Sequence, residues 1–320
     1  MTGRIALGAG LLLLFAAALL TPWPPIRDLF AQDRELALAV LVELRLPRAL
    51  LALVYGAMLG ASGAAIQALF ANPLASPDLT GTTSGAALGA VVTAYLLGFS
   101  APLALALGSV AGALAALLLL LALAGPRAET ATLLLSGLAI SALAGALTTL
   151  ALALAPSPFA FYDAYDWLMG SLVDRSLSQA GFAAVPAFLG IGALLSRREA
   201  LDSLTLGEEV SQSLGHDLGR LRLLIVCVTA IGVGACVAIC GAIGFVGLVA
   251  PIFARRLTGG HPGQAMLPAA LIGGALLLLA DLVTRAVPLG RTLPIGVVTA
   301  LIGAPFFLWL VAHMRWRLAR

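Results

Sequence analysis

The sequence predicts an all-α polytopic membrane protein, a compact bundle of about ten transmembrane helices, on two observations. Apolar residues make up 61% of the 320 residues and charged residues only 10%, whereas soluble domains carry about 25% charged residues. The apolar residues are also grouped into long runs, and a helix needs about 20 of them to cross a bilayer. We therefore expect residues 1–320 to form a single transmembrane domain.

Apolar runs supply the predicted helices in chain order. They cover residues 5–20, 47–70, 82–98, 102–124, 131–154, 177–195, 221–241, 244–257, 265–286 and 295–313. The first run is expected to be retained as an anchor, because no clean small-x-small cleavage site precedes Thr21 and nine more predicted spans follow. Small residues at four-residue spacing predict faces on which helix backbones approach closely in lipid. These residues are Gly56 and Gly60; Gly81, Gly85 and Gly89; Gly108 and Gly112; and Gly137, Ser141 and Gly145.

A weak internal repeat indicates inverted repeats within the bundle. A shift of 178 residues superimposes Gly56-Ala57 on Gly234-Ala235, Gly63-Ala64 on Gly241-Ala242, and Pro73 on Pro251. The two segments would cross the membrane in opposite directions, and interrupted helices of this kind flank the pathway in many transporters. Chance matches are common in so biased a composition, so shared ancestry of the two segments stays open.

Arginine is the only strong base, since the chain contains 18 arginines and no lysine. Without lysine the chain cannot supply the P-loop side chain that holds nucleotide phosphates, so another subunit must hydrolyse any ATP that is used. The arginines are scattered between apolar runs and form no basic stripe, which argues against a nucleic-acid partner. With both termini in the cytoplasm, 11 arginines lie inside and 7 outside, in the sense of the positive-inside rule.

The inventory of reactive side chains predicts no catalytic residue and no metal site. The histidines lack metal-ligand spacing, and no serine nucleophile motif occurs. Asp281 is the only acid within a predicted span, and Arg285 follows one helical turn later. We expect Asp281 to orient or neutralise Arg285, with a role in proton transfer as the alternative.

The longest hydrophilic stretch, residues 196–222, predicts a short cytosolic helix. Thr205 and Glu208 have capping-box spacing, and Gly215 is placed to end the helix. Leu206, Val210 and Leu214 form an apolar stripe at four-residue spacing. The acidic pair Glu208 and Glu209, with no adjacent arginine, favours a groove on a protein partner over a surface of anionic lipid headgroups.

Several motifs together resemble the FecCD permease family, the membrane subunits of ABC importers for ferric siderophores, haem and cobalamin. They extend in order from about residue 40 to the end of the chain. The motifs are Arg45-Leu-Pro-Arg48, Gly63-Ala-Ala-Ile-Gln67, Asn72-Pro-Leu-Ala-Ser-Pro77, Ser84-Gly-Ala86, Trp167-Leu-Met-Gly-Ser171, Gly241-Ala-Ile-Gly-Phe-Val-Gly-Leu-Val-Ala-Pro251, Leu293-Pro-Ile-Gly-Val-Val-Thr299 and Gly303-Ala-Pro-Phe-Phe307.

The resemblance implies a set of partners in the bacterial inner membrane. These are a second permease copy or paralogue, two cytosolic ATPase subunits that carry ATP and Mg²⁺, and an extracytoplasmic binding protein. No cofactor is expected on this chain. The resemblance further implies that exposed arginines at Arg45, Arg48 and Arg285 dock the binding protein. It assigns to the cytosolic helix the coupling residues Leu206, Gly207, Glu208, Glu209, Val210, Leu214 and Gly215.

Transport is then expected to proceed by alternating access without a covalent step on this chain. Cytoplasmic constrictions are predicted near Asn72, Leu74, Thr130 and Leu134, where small or polar residues lie at helix ends. Ferric siderophore ranks first as cargo because it is the commonest substrate of the family, followed by cobalamin and haem. The alternative is a stand-alone secondary transporter driven by an ion gradient.

Overall fold

A computed structural model describes residues 2–125, 130–155, 157–286 and 293–318, and the elements in these ranges are all helical, as the composition predicts. In chain order they are α1 (Thr2–Leu20), α2 (Trp23–Gln32), α3 (Arg34–Ala39), α4 (Leu46–Leu69), α5 (Thr82–Val91), α6 (Pro102–Ala124), α7 (Thr130–Ala153), α8 (Pro158–Leu168), α9 (Leu177–Leu195), α10 (Arg198–Ser203), α11 (Glu208–Ser213), α12 (Leu218–Cys240), α13 (Val246–Leu257), α14 (Pro262–Ala286) and α15 (Ile295–Leu318). Short π-helical stretches over Val40–Arg45 and Val92–Leu96 precede α4 and extend α5.

Each predicted run coincides with a helix, but the helices differ in length. Among the described residues, six are long and apolar enough to cross a membrane, and the bent pair of α1 and α2 would make a seventh. The extended α5 and the apolar part of α15 are shorter, and α13 has only 12 residues. The count of ten spans therefore stays a prediction, while the polytopic all-α class is confirmed.

Helices α2, α3 and α8 were not predicted from hydropathy. Their sequences mix charged, aromatic and apolar residues, so no long apolar run marks them. Local capping explains one of them, since Asp33 Oδ1 accepts hydrogen bonds from the backbone N–H groups of Glu35 and Leu36, both at 3.0 Å.

Glycine faces bring helix backbones into direct contact, as the four-residue spacing predicts. On α4, a Cβ at Gly56 would lie 2.2 Å from the carbonyl oxygen of Gly273 in α14, and one at Gly60 would lie 2.0 Å from that of Ala269. Gly85 and Gly89 of α5 meet Gly112 and Gly108 of α6 in the same way. Any side chain at these positions would separate the helices.

Two predicted members of these faces behave differently. Gly145 has open space around it, so it belongs to no close helix contact in the described chain. Gly81 lies just before α5 with a φ of 81°, where it turns the chain into the helix.

Both segments of the predicted repeat are interrupted by non-helical backbone. The first break, residues 70–81, separates α4 from α5 and is named the α4–α5 connection below. The second, residues 241–245, separates α12 from α13. Non-helical backbone is tolerated in a membrane protein where it is buried in protein or lines a cavity. The two breaks meet, because Phe245 N donates to Asp78 Oδ2 at 2.7 Å.

Candidate coupling, docking and gate sites

The segment over residues 196–222, which is predicted to be cytosolic and is named the coupling loop below, exposes the apolar residues of the predicted stripe. Leu206, Val210 and Leu214 are 63%, 42% and 60% exposed. They do not lie on one helix as their spacing predicts, because Leu206 ends a 3₁₀ turn over Leu204–Leu206 and Leu214 follows the last residue of α11. Exposed large apolar side chains are nevertheless typical of a surface that a partner covers.

The start of the cytosolic helix differs from the predicted capping box. Thr205 Oγ1 donates to the carbonyl oxygen of Asp202 at 2.7 Å, so it does not cap the helix that follows. Helix α11 begins at Glu208, after Gly207 with a φ of 100°. Gly215, with a φ of 88°, follows the end of α11 as predicted. The chain turns at both glycines, so the helix is confined to a single short segment between them.

Glu208 has an arginine partner that its sequence neighbours do not reveal. Arg222, in the first turns of α12, forms an ion pair with the Glu208 carboxylate across 14 residues. Asp217 caps α12 by accepting from the backbone N–H of Arg220 at 3.0 Å. The acidic end of α11 is thereby connected to α12.

The coupling loop is also attached to the beginning of α14. Asp202 Oδ1 accepts a hydrogen bond from the backbone N–H of Gly263 at 2.7 Å. A Cβ at Gly263 would lie 1.9 Å from the carbonyl oxygen of Arg198, so α10 and α14 are in backbone contact. Buried Ser203 and Ser211 join α10 to α11 through their hydroxyl groups at 2.6 Å. A movement of α11 must therefore affect both α12 and α14.

The outer ends of α4 and α14 carry a cluster of charged residues, named the outer arginine cluster below: Arg45, Arg48, Arg285 and Asp281. Arg48 Nε donates to Asp281 Oδ1 at 2.7 Å, and Arg285 Nη2 donates to the other oxygen of the same carboxylate. Arg285 Nη1 also donates to the carbonyl oxygen of Ala18 at 2.7 Å, and Arg45 Nη1 to that of Leu19 at 2.9 Å. The cluster therefore joins α1, α4 and α14.

The structure confirms that Asp281 pairs with Arg285 and adds Arg48 as a second partner. The side chains of Arg48 and Arg285 are only 16% and 9% exposed, so they are more covered than the resemblance implies. Two guanidinium groups bind one carboxylate and Arg45 adds a third positive charge to the cluster, which leaves the cluster net positive. Docking of a binding protein to this cluster stays a prediction.

The predicted gate residues lie on two separate elements. Asn72 is buried, and its Oδ1 accepts from the backbone N–H of Leu74 at 2.9 Å, so its side chain shapes the α4–α5 connection. Leu74 and Leu134 are both partly buried. Thr130 begins α7, but its side chain lies outside the described residues.

Hydropathy and spacing did not single out Asp78 and Asp202, each of which connects two elements that are distant in sequence. Asp78 binds Phe245 N and also accepts from Thr83 Oγ1 at 2.9 Å. Asp202 has the comparable contact with Gly263. Neither acid lies in an apolar run. Each binds a backbone N–H group that is distant in sequence, so its partner could be found only in the tertiary structure. Among the described residues, no group of three His, Cys, Asp or Glu side chains is arranged to hold a metal ion.

The sequence model of the FecCD transport family matches residues 5–313, nearly the whole chain. The chain belongs to the FecCD transport family. This FecCD chain is 42% identical over 274 residues to the vitamin B12 import system permease proteins BtuC of Salmonella paratyphi A and Salmonella typhi, a match that covers 84% of this chain and 82% of each relative.

Solved structures confirm the fold of this FecCD chain. A metal-chelate type ABC transporter in an inward-facing conformation superimposes with a TM-score of 0.84 and 31% identity, over 98% of this chain and 99% of the other. PsaBC from Streptococcus pneumoniae, solved with a Fab, has a TM-score of 0.60 at 18% identity and covers 89% of this chain and 93% of its own, which shows a related fold alone. The FecCD chain is thus a multi-pass permease subunit of an ABC importer, and the stand-alone secondary transporter loses its support.

Proposed function

We propose that this permease carries cobalamin across the bacterial inner membrane, with ferric siderophore and haem as the second and third candidates. The observation that carries the proposal is the 42% identity to vitamin B12 permeases over 84% of the chain. It reverses the order expected from the sequence, which placed siderophore first because siderophores are the commonest cargo of the family. In the part of the chain that the structure describes, no group of three His, Cys, Asp or Glu side chains could hold a metal ion, which suits a wide and weakly binding passage.

The permease works with partner proteins that hydrolyse ATP and deliver the cargo. Two copies of the chain surround the pathway, two cytosolic ATPase subunits bind ATP and Mg²⁺, and an extracytoplasmic protein delivers the cargo. ATP binding and hydrolysis shift the population between outward-open and inward-open bundles. Both termini of the permease lie in the cytoplasm, in agreement with the excess of inner arginines.

The coupling loop inserts into a cleft of the ATPase. The exposed stripe of Leu206, Val210 and Leu214 supplies the apolar contact surface. The turns at Gly207 and Gly215 bound α11 on either side, and Glu208 and Glu209 lie at its N-terminal end, where carboxylates interact favourably with the helix dipole.

The binding protein docks at the outer arginine cluster. Because the cluster has three guanidinium groups and one carboxylate, acidic side chains of a partner are attracted to it. Arg45 is the most available member, since among the described residues its guanidinium donates to the carbonyl oxygens of Leu19 and Pro22 and not to a carboxylate. A carboxylate from the partner can approach Arg45 without breaking an internal ion pair.

Reconstitution of the purified components tests the function. The permease, its ATPase and the binding protein encoded beside it would be placed in liposomes and supplied with labelled cyanocobalamin, a ferric hydroxamate siderophore or haem in parallel. We expect uptake of cyanocobalamin only when ATP is present on the side of the membrane that carries the ATPase and the binding protein is present on the opposite side. Uptake of only the siderophore or haem would overturn the cargo, and uptake by the permease alone under an ion gradient would overturn the ATP-driven mechanism.

A further inference from the structure

Asp78 and Asp202 share an arrangement that the transport cycle outlined above does not use. Each carboxylate belongs to a segment that joins membrane helices and accepts a backbone hydrogen bond at the start of a distant helix. Asp78, in the α4–α5 connection, accepts from Phe245 N at 2.7 Å, where α13 begins. Asp202, in the coupling loop, accepts from Gly263 N at 2.7 Å, in the first turn of α14. Helix N-termini carry partial positive charge, so each acid complements the end that it contacts.

Helices α13 and α14 are consecutive and are joined by a tight turn over residues 258–261. The backbone N–H of Gly260 donates to the carbonyl oxygen of Arg255 at 3.0 Å, and Thr258 Oγ1 donates to that of Ala254 at 3.2 Å. These bonds close the end of α13 directly before α14 starts. The two helices therefore form one hairpin, and each of its N-terminal ends is held by an acid from a different connecting segment.

The α4–α5 connection is wedged between this hairpin and α7. On the hairpin side, a Cβ at Gly247 would lie 2.8 Å from the ring of Pro77. On the α7 side, a Cβ at Gly137 would lie 2.1 Å from the carbonyl oxygen of Leu79, and Ser141 Oγ donates to the carbonyl oxygen of Asp78 at 3.3 Å. Closely packed backbone transmits displacement, so α13 cannot shift without affecting the connection or α7.

Phe245 occupies a conformation suited to a switching point. Its φ of 66° lies in the left-handed region, which is unfavourable for a residue with a bulky side chain. The Phe245 side chain packs directly on α15, where a Cβ at Gly303 would lie 2.3 Å from it. Strained residues that are held by their surroundings cluster at switch regions. The bond to Asp78 is one of the contacts that hold Phe245.

We propose that the α13–α14 hairpin transmits movement of the coupling loop to the α4–α5 connection and α7, with Asp202 and Asp78 as the positioning residues at its two ends. The inference rests on the proposed function, because it takes the coupling loop to be the ATPase contact and the predicted gate residue Leu134 of α7 to lie beside the pathway. Asp202 connects the coupling loop to α14, and Asp78 connects α13 to the α4–α5 connection. A movement must therefore pass through both contacts in turn.

A distance measurement across the dimer tests this transmission without a transported substrate. The full complex would carry a spin label at Leu134→Cys on α7 of both copies, in a background with Cys227, Cys236 and Cys240 replaced by alanine. We expect ATP to shift the label distance in the parent complex. Asp202→Ala and Asp78→Ala each remove the oxygen that accepts the backbone hydrogen bond, and each should reduce the ratio of shifted to unshifted population about tenfold, while ATP hydrolysis continues.

Asp217→Ala is the matched control, because Asp217 also caps a helix from within the coupling loop, but the hydrogen bond that it accepts comes from α12. We expect it to leave the ATP-driven shift unchanged. Gly263→Ala provides an independent way to break the attachment of α10 to α14 and should reproduce the effect of Asp202→Ala. Assembly of every variant complex would be checked by size-exclusion chromatography, so that loss of the shift in an assembled complex reports on transmission.

The double variant Asp78→Ala/Asp202→Ala distinguishes a series connection from independent defects. Two attachments in one path should give a defect no larger than that of the worse single variant, whereas independent defects multiply. Multiplied effects would overturn the series connection, and a normal shift in Asp202→Ala together with Gly263→Ala would overturn the role of the hairpin. A parent complex without any response to ATP would overturn the proposed function itself, and this inference with it.

Discussion

Arg48 Nε donates to Asp281 Oδ1 at 2.7 Å and so joins α4 to α14 across 233 residues of sequence. Arg285 binds the other oxygen of the same carboxylate from one turn further along α14. The Asp281 side chain is only 1% exposed, so a single buried acid holds two guanidinium groups at the outer end of the bundle. Two of the three predicted docking arginines therefore also have a structural role.

Asp281→Asn should destabilise the permease more than any exposed charge substitution. Removal of the carboxylate leaves two largely buried guanidinium groups uncompensated, and breaking a buried pair in this way costs about 3–5 kcal/mol. Thermal unfolding in detergent, followed by tryptophan fluorescence, measures the change. Asp28→Asn is the control, because the Arg27–Asp28 pair is 66% and 55% exposed and such pairs contribute less than about 1 kcal/mol. Equal unfolding temperatures for both variants would contradict this account.

Arg45→Glu should lower the affinity of the permease for the binding protein without unfolding the permease. Within the described part of the chain Arg45 forms no ion pair, so reversal of its charge removes attraction for acidic side chains while the Arg48–Asp281–Arg285 contacts remain. We expect about a tenfold loss of affinity at low ionic strength, shrinking as salt is added. Surface plasmon resonance with the permease in nanodiscs measures it. Exposed Arg34→Glu, on α3, is the matched control, and an equal loss in both variants would favour general charge attraction over docking at the cluster.

Val210→Asp should release the ATPase from the permease. Val210 lies in the middle of the exposed stripe, and a carboxylate buried in an apolar cleft is costly unless it is paired. We expect the affinity for the ATPase to fall more than about tenfold, measured by copurification and by titration of labelled ATPase. Thr205→Asp is the control, since Thr205 is exposed next to the stripe but not on it. Undiminished binding by Val210→Asp would place the ATPase contact elsewhere.

Gly60→Val should disrupt the pairing of α4 and α14. A Cβ at Gly60 would lie 2.0 Å from the carbonyl oxygen of Ala269, which belongs to backbone and cannot rotate away. Overpacking typically costs about 1–3 kcal/mol, and a clash with backbone belongs at the upper end of that range. Gly145→Val, where the space is open, should unfold at a temperature close to that of the parent. An equal loss of stability at Gly145 would contradict this account, because valine has a higher helix propensity than glycine and meets no backbone at that position.

The features that could be predicted are those that depend on residues within one helical turn of each other or on a single apolar run. Hydropathy located the long helices, and four-residue spacing located the glycine faces of α4, α5 and α6. The pairing of Asp281 with Arg285 follows the same local rule. The capping box at Thr205 and the helical stripe from Leu206 to Leu214 failed because Gly207, with its positive φ, separates Leu206 from the helix that starts at Glu208.

Composition and periodicity by themselves determined a polytopic helical protein without lysine, which therefore lacks the P-loop lysine that holds nucleotide phosphates. Only the tertiary structure decided which acids meet which helix ends: Asp78 with Phe245, Asp202 with Gly263, and Asp281 with Arg48. The physical reason is the range of the interactions. Apolar runs and helical spacing act between neighbours in sequence, whereas a carboxylate finds its partner among groups that the folded bundle brings within hydrogen-bond distance.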